Sequence, residues 1–210
     1  VTDATTSVLN AYGLEADKAG KIVDGFAQTQ ADGKIVVDQY AQQIGRIAPI
    51  ASGAGVSIDE LNAAISAVTA TGVPVESTFA GLRQVIASIQ KPTSEASKVA
   101  EKLGIDFSVA AIKSKGLSGV LEEIVAKGGA SADNLSKLFG SVEALTAIQP
   151  LLNDKLVKFN EALKNQANAQ GRAAKDAFTA ANTISGQLKR IGAAFTNLTT
   201  DGSELSLIHI

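Results

Sequence analysis

Residues 55–107 read GVSIDELNAAISAVTATGVPVESTFAGLRQVIASIQKPTSEASKVAEKLGIDF and contain the clearest helix signals of the chain. Ser57 and Glu60 form an S-x-x-E capping box, which satisfies two unpaired backbone donors at the start of a helix. Apolar residues then recur at spacings of three and four, as on one face of an amphipathic helix. They are Ile58, Leu61, Ile65 and Val68. The pattern predicts a helix that begins at the capping box and ends at Gly72.

Two further short helices are predicted in the same stretch. Pro74 opens the first of them, whose apolar stripe has the same spacing. The stripe contains Val75, Phe79, Leu82, Ile86 and Ile89. Lys91-Pro92 breaks the chain because proline lacks an amide proton and restricts the residue before it. Thr93 or Ser94 then caps a third helix that ends at Gly104. Three short helices joined by tight turns predict a hairpin-like stack.

Five glycines in the chain are each followed directly by an apolar residue. A left-handed glycine followed by an apolar residue that folds back is typical of the Schellman helix stop. The pairs are Gly13-Leu14, Gly55-Val56, Gly72-Val73, Gly104-Ile105 and Gly116-Leu117. Repeated reversals of this kind predict a compact bundle of short helices over residues 1–148, rather than one rod.

Further helices are predicted on both sides of this core. The β-branched run Ile35-Val36-Val37 could indicate a strand, but the spacing that continues through Tyr40 and Ile44 favours a helix. The predicted segments are residues 3–12, 15–30, 35–47, 117–127 and 131–139. We therefore expect an all-α fold.

The pattern changes after Gly140, where apolar residues fall at heptad spacing. The first run holds Leu152, Leu156, Phe159 and Leu163, and the second holds Ala177, Ala181, Ile184, Leu188, Ile191, Phe195 and Leu198. We expect one or two long amphipathic helices over residues 149–202. They either pair as coiled coils, which permits self-association, or fold back on the bundle. Residues 203–210 include SLIHI, which resembles translated adapter sequence, so we interpret them as a non-native tail.

The amino-acid composition limits which classes of function are compatible with this chain. The 210 residues are 45% hydrophobic but only 4% aromatic, which suits helices packed closely through small side chains. The net charge is −2 with no long run of either sign, so we expect no nucleic-acid partner. The absence of cysteine excludes disulfides and thiolate chemistry. Because the sequence has no methionine, we expect Val1 not to be a natural start and the chain to be a fragment.

The sequence offers no membrane span. No apolar run reaches the roughly 20 residues that a spanning helix needs. The nearest candidate, residues 61–75, lacks charge but contains several polar side chains, so we interpret it as a buried amphipathic helix. Those side chains are Asn62, Ser66, Thr69 and Thr71.

Several short motifs bear on possible chemistry. Ser52-Gly53-Ala54-Gly55 before a helix suggests a phosphate-binding loop, but the strand and Lys-Ser/Thr of such a loop are missing, so we expect a helix-connecting loop. Asp59-Glu60 and Glu122-Glu123 are adjacent carboxylates about 100° apart on a helix, so neither pair faces one substrate. We expect them to lie on a solvated helix start or face. The basic residues Lys113, Lys115, Lys189 and Arg190 are too scattered for a nucleic-acid groove.

The only histidine, His209, lies in the suspected non-native tail. Metal clusters and nucleophilic triads therefore have no members. We predict no catalytic residues, no cofactor, no metal and no small-molecule substrate.

The order of motifs resembles the core region of bacteriophage tail tape measure proteins. The core motifs are the capping box, Thr71-Gly72-Val73-Pro74, Ala80-Gly81-Leu82-Arg83, residues 91–96 (KPTSEA) and residues 103–107 (LGIDF). Outside the core are residues 11–14 (AYGL), 45–49 (GRIAP), Leu138-Phe139-Gly140, Glu143-Ala144-Leu145 and residues 186–190 (GQLKR). The resemblance covers most of residues 3–200, and Gln149-Pro150 departs from it.

This resemblance implies a scaffold inside the tail tube, whose length sets the tail length. The lack of a catalytic constellation leads us to expect that the chain is not an enzyme. The resemblance implies tail tube subunits and tail assembly chaperones as partners, with contact to the host membrane through other parts of the full chain. It also implies a location in the tail lumen of the virion, and in the host cytoplasm during assembly.

Two alternatives come from other functional classes. Alanine-rich uncharged segments such as residues 61–75 are compatible with a membrane-active helical protein, a pore-former or toxin. The chain could also be the non-catalytic part of a cell-wall-degrading tail protein. Liposome binding would support the membrane-active alternative. Peptidoglycan hydrolysis by this chain would support an enzyme, although the sequence contains no catalytic constellation.

Overall fold

Helix follows helix in the computed structural model, which describes residues 1–181. The described chain contains no strand, so the predicted all-α fold is confirmed. The α-helices are α1 (Thr2–Tyr12), α2 (Ala19–Asp32), α3 (Val37–Ala54), α4 (Ile58–Ala70), α5 (Val75–Gln90), α6 (Ser94–Leu103), α7 (Val109–Ala126), α8 (Ala132–Phe139), α9 (Val142–Leu152) and α10 (Val157–Ala167). Short 3₁₀ turns occupy Ala16–Lys18 and Asn153–Leu156.

Helix α4 lies at the centre of the bundle. Eleven of its 13 residues are buried, and it contacts α2, α3, α5, α7, α9 and α10. A helix that is buried on nearly every side needs neighbours that cover all of its faces. Small side chains such as Ala63, Ala64 and Ala67 allow those neighbours to approach closely. Residues 61–69 are buried, as the sequence predicted, but the helix ends at Ala70 and the following turn at Thr71 and Gly72 is exposed.

Helix α5 packs most extensively against α9. Leu82 and Ile86 are each only 1% exposed, so the predicted stripe of α5 is its buried face. Gly81 lies directly under α9, where an added Cβ would be 2.5 Å from the Glu143 carbonyl oxygen. The missing side chain thus permits close contact between the two helices.

Three of the five predicted glycine stops have the full Schellman geometry. Gly13, Gly55 and Gly104 are left-handed, and the next residue donates to a carbonyl five positions back at 2.8–2.9 Å. Gly72 also has a positive φ of 96° at its turn. Gly116 is different, because its φ of 76° and ψ of 171° break α7 in its interior instead of ending a helix by a Schellman stop.

Several helix boundaries in the structure differ from those predicted from the sequence. Helix α3 starts at Val37, and it continues past Ile47 through Pro49 to Ala54. The predicted helix 15–30 is a 3₁₀ turn followed by α2, which extends to Asp32. Boundaries shift because the ends of a helix depend on which side chains the neighbouring helices bury.

The first heptad run belongs to the bundle. Leu156 and Phe159 are at most 1% exposed, and α10 packs against α4. Residues 154–156 all have positive φ and interrupt the long helix that the sequence predicted. The fold-back alternative is therefore the observed one for residues 151–167. The compact unit extends past the boundary expected after residue 148, because α10 finds its apolar partners inside the bundle.

Contacts divide the chain into one unit, Val1–Arg172, and a second that begins at Ala173. The described part of the second unit, residues 173–181, is helical and mostly exposed, with Phe178 69% exposed. Ile184, Leu188 and the rest of the second heptad run lie outside the described residues, as do residues 203–210.

Candidate functional site

The described residues contain no metal-binding cluster and no membrane-spanning helix. Within residues 1–181, no group of three or more His, Cys, Asp or Glu side chains could hold a metal ion. In the same range, no helix combines the length and apolar character required to cross a membrane. Ser52, Gly53 and Ala54 form the last turn of α3 rather than the loop that we expected, and Gly55 caps it.

Glu60 is buried, with 7% exposure, which corrects the expectation of a solvated helix start. Its Oε2 accepts hydrogen bonds from the Ser57 backbone N–H at 3.1 Å and the Ser57 hydroxyl at 2.9 Å. Its Oε1 accepts from the backbone N–H of Ser118 at 3.1 Å. The break at Gly116 leaves amide donors free at the start of the following helical segment, and the carboxylate caps them. Glu60 therefore joins α4 to α7.

Tyr12 lies beside this carboxylate. Burial, and then the negative charges of Glu60 and Asp59, raise the pKa of the Tyr12 hydroxyl well above its ordinary value. The hydroxyl has no hydrogen-bond partner among the described residues. A phenol held in its neutral form in this way is unsuited to act as a base or nucleophile near neutral pH.

The second carboxylate pair is divided between two environments. Glu122 is exposed, whereas the Glu123 carboxylate accepts hydrogen bonds from the ammonium groups of Lys115 and Lys127. These bonds, Lys115 first, lower the pKa of Glu123 to about 2. Lys127 also donates to the carbonyl of Gly104, so the cluster connects the end of α6 to both segments of α7.

A buried polar cluster joins four helices. The Tyr40 hydroxyl of α3 donates to Asn62 Oδ1 of α4 at 2.5 Å. Asn62 Nδ2 donates to Gln166 Oε1 of α10 at 3.5 Å. Gln166 Nε2 in turn donates to the Gly25 carbonyl at 3.3 Å and to Thr29 Oγ1 at 3.0 Å, both on α2. These bonds fix the register of α10, because any sliding would leave buried polar groups unpaired.

The adjacent polar face of α2 holds the end of the compact unit. Asp24, Gln28 and Asp32 recur every four residues, and we call them the α2 clasp. Asp24 accepts from the Gly171 backbone N–H at 2.7 Å, and Gln28 Oε1 accepts from Arg172 at 3.4 Å. Asp32 Oδ1 accepts from Gln28 at 2.9 Å and from Asn165 at 3.1 Å.

These arrangements position helices rather than reacting atoms. The α2 clasp and the buried polar cluster fix α10 and the end of the unit to α2 and α4. The sequence indicated part of this arrangement, since the polar residues Asn62 and Ser66 lie in the alanine-rich part of α4. It gave no indication that Gln166, 104 positions later, would be the partner of Asn62.

The family model and two individual relatives all relate this chain to phage tail proteins. Residues 1–140 match the family model of phage-related minor tail proteins. The chain is 28% identical over 207 residues to the tape measure protein of Pneumococcus phage Dp-1, covering 94% of this chain and 18% of that protein. It is 26% identical over 203 residues to the probable tape measure protein of Escherichia phage P2, covering 91% of this chain and 24% of that protein. No solved structure matches significantly.

The chain therefore spans at most about a quarter of the length of these two relatives. The residues that match the family model, 1–140, include the central helix α4 and every helix of the compact unit except α9 and α10. A helical bundle held by structural polar contacts agrees with a structural role in the tail. This chain belongs to the phage-related minor tail protein family.

Proposed function

We propose that this chain is part of a tail tape measure protein, a scaffold that sets tail length during assembly. The observation that carries the proposal is the similarity to two relatives named as tape measure proteins, over 94% and 91% of this chain. The polar contacts described above support a structural role, because each of them positions helices.

The proposed mechanism is that the length of an extended helical chain sets the length of the tail. An extended helix advances about 1.5 Å per residue, so residue count translates into length. A chain that acts as a ruler needs no reacting groups, only helical segments of defined length. We propose on the same grounds that the chain is not an enzyme, binds no cofactor and has no catalytic residues.

Partners and location follow from the same role. We propose that tail tube subunits and tail assembly chaperones bind the chain, and that it resides in the tail lumen of the virion after assembly in the host cytoplasm. We also propose that the second heptad run, over residues 177–198, pairs with copies of itself or with another helix. Its continuous apolar seam would be costly to leave in water.

Tail length in the phage or prophage that encodes the chain tests the proposal. Deleting residues 58–167 in frame should shorten tails by about 165 Å, and deleting residues 94–139 should shorten them by about 70 Å, if each residue contributes one helical rise. Electron microscopy of negatively stained particles measures the lengths.

Leu82→Ala is the control, since it weakens the bundle without changing the residue count. It should reduce the yield of tails but leave their length unchanged. Tails of normal length in both deletion strains would show that this region does not act as a ruler.

A further inference from the structure

The turn between α9 and α10 has an unusual backbone. Three consecutive residues have positive φ, namely Asp154 at 50°, Lys155 at 54° and Leu156 at 67°. Left-handed conformations are costly for residues with a Cβ. Every other positive-φ position among residues 1–181 is occupied by glycine: Gly13, Gly55, Gly72, Gly104, Gly116, Gly128, Gly140 and Gly171. Within residues 1–181, residues other than glycine adopt positive φ only at this turn.

The local sequence favours a continuous helix through this turn. Residues 151–167, LLNDKLVKFNEALKNQA, contain neither glycine nor proline, and Pro150 before them already lies inside helix α9. Their apolar stripe continues through the reversal at heptad spacing, and the residues on it would share one face of an unbroken helix. Those residues are Leu152, Leu156, Phe159 and Leu163. The local sequence therefore favours a helix at Asp154–Leu156, whereas the observed backbone there is left-handed.

The docking of α10 maintains the reversal. Phe159 is fully buried and Leu156 is 1% exposed. Gln166, 2% exposed, donates to Gly25 and Thr29 of α2. A strained backbone persists only where surrounding contacts compensate for it. If α10 left α4 and α2, the turn would keep only its contacts with α7 and the adjoining helix α9 to hold Asp154–Leu156 in the left-handed conformation.

We propose that α9 and α10 are two halves of one helix, folded at a strained joint, Asn153–Leu156. The joint straightens when α10 leaves α4, and Val142–Ala167 then becomes a single helix that presents its heptad stripe. The compact unit is therefore built to open at one defined place. This inference rests on backbone geometry and holds whether or not the chain sets tail length.

The direct test follows backbone conformation by NMR in the full chain. In the wild type, strong intraresidue HN–Hα NOEs should show positive φ at Asp154, Lys155 and Leu156. Phe159→Asp puts a carboxylate into the buried face of α10 and should undock it. In that variant, Cα chemical shifts should be helical without interruption from Val142 to Ala167. Coil shifts at residues 153–156, or unchanged left-handed shifts, would overturn the proposal.

A second test does not depend on undocking. Asp154→Gly with Lys155→Gly relieves the left-handed strain and should slow amide hydrogen exchange in α10 by about tenfold. Lys158→Gly is the matched control, because it is an exposed and ordinary helical position of α10 and should speed exchange. If the Asp154/Lys155 double variant exchanges as fast as the wild type or faster, the joint is not strained and the proposal fails, even where Phe159→Asp does not fold.

Discussion

Glu60 and Ser118 join two helix starts that are 58 residues apart in sequence. Glu60 Oε1 accepts the Ser118 backbone N–H at 3.1 Å while Oε2 completes the capping box of α4. An added Cβ at Gly116 would lie 2.4 Å from the same Oε1. One carboxylate therefore caps α4 locally and α7 through tertiary contact, and glycine at position 116 leaves room for it.

Glu60→Ala should destabilise the bundle by about 2–3 kcal/mol, since it leaves the donors of Ser57 and Ser118 unpaired. Chemical denaturation measures the loss. Asp59→Ala on the same turn is the control, because Asp59 makes only a surface ion pair with Lys21, and it should cost less than about 1 kcal/mol. Equal effects of the two substitutions would argue against the tertiary cap.

Leu82→Ala or Ile86→Ala should destabilise the fold by about 2–5 kcal/mol, because each leaves a cavity in the face of α5 that packs inside the bundle. Gln84→Ala, at an exposed position of the same helix, should change stability by no more than about 0.5 kcal/mol. Urea denaturation of the three variants checks this. A loss below about 0.5 kcal/mol at Leu82 and Ile86 would mean that these side chains are not packed as observed.

Gly81→Ala should lower the stability of the fold, whereas Gly20→Ala should raise it. At Gly81 the new methyl group would meet Ala147 Cβ at 2.7 Å, so α5 and α9 must separate, at a cost of about 1–3 kcal/mol. At Gly20, in α2, no atom lies within 4 Å, and alanine should stabilise the helix by about 0.5–1 kcal/mol. Thermal melts followed by circular dichroism compare them. Stabilisation by both substitutions would show that α5 and α9 are not in close contact.

Acid should remove the stabilisation that Glu123 provides. Its pKa of about 2 in the fold is below the ordinary value of 4.5, so the contribution is complete above pH 4.5 and is lost as pH falls toward 2. Glu123→Gln should therefore lose less stability between pH 6 and pH 3 than the wild type. Denaturant midpoints at the two pH values measure this, and Glu122→Gln, at an exposed position, should behave like the wild type. An unchanged pH dependence in Glu123→Gln would contradict the ion-pair assignment.

Ile184→Asp and Leu188→Asp should abolish self-association of the full chain, because an isolated carboxylate in an apolar seam has no partner to offset its desolvation. Sedimentation velocity over a concentration series compares these variants with the wild type. Thr183→Ala and Lys189→Ala, beside the seam, are the controls and should associate normally. If the wild type is a monomer at every concentration, self-association through the seam is wrong.

The sequence alone determined the helical class and most of the helix starts and stops. Ser57 and Glu60 are three residues apart, and the Schellman bond at Gly104 joins residues five apart, Ile105 and Ala100. Contacts of this kind form within one or two turns of chain, so their geometry is fixed by local sequence. The apolar spacing likewise identified Leu82 and Ile86, because the helical period places them on one face.

Only the tertiary structure decided where α10 lies and which polar groups are buried. The pairing of Asn62 with Gln166 spans 104 residues, and that of Glu60 with Ser118 spans 58. Local sequence in residues 151–167 favours one unbroken helix, yet burial of Phe159 against the core outweighs that preference and bends the chain at Asp154–Leu156. Such outcomes depend on the free energy of contacts between distant segments, which no local pattern contains.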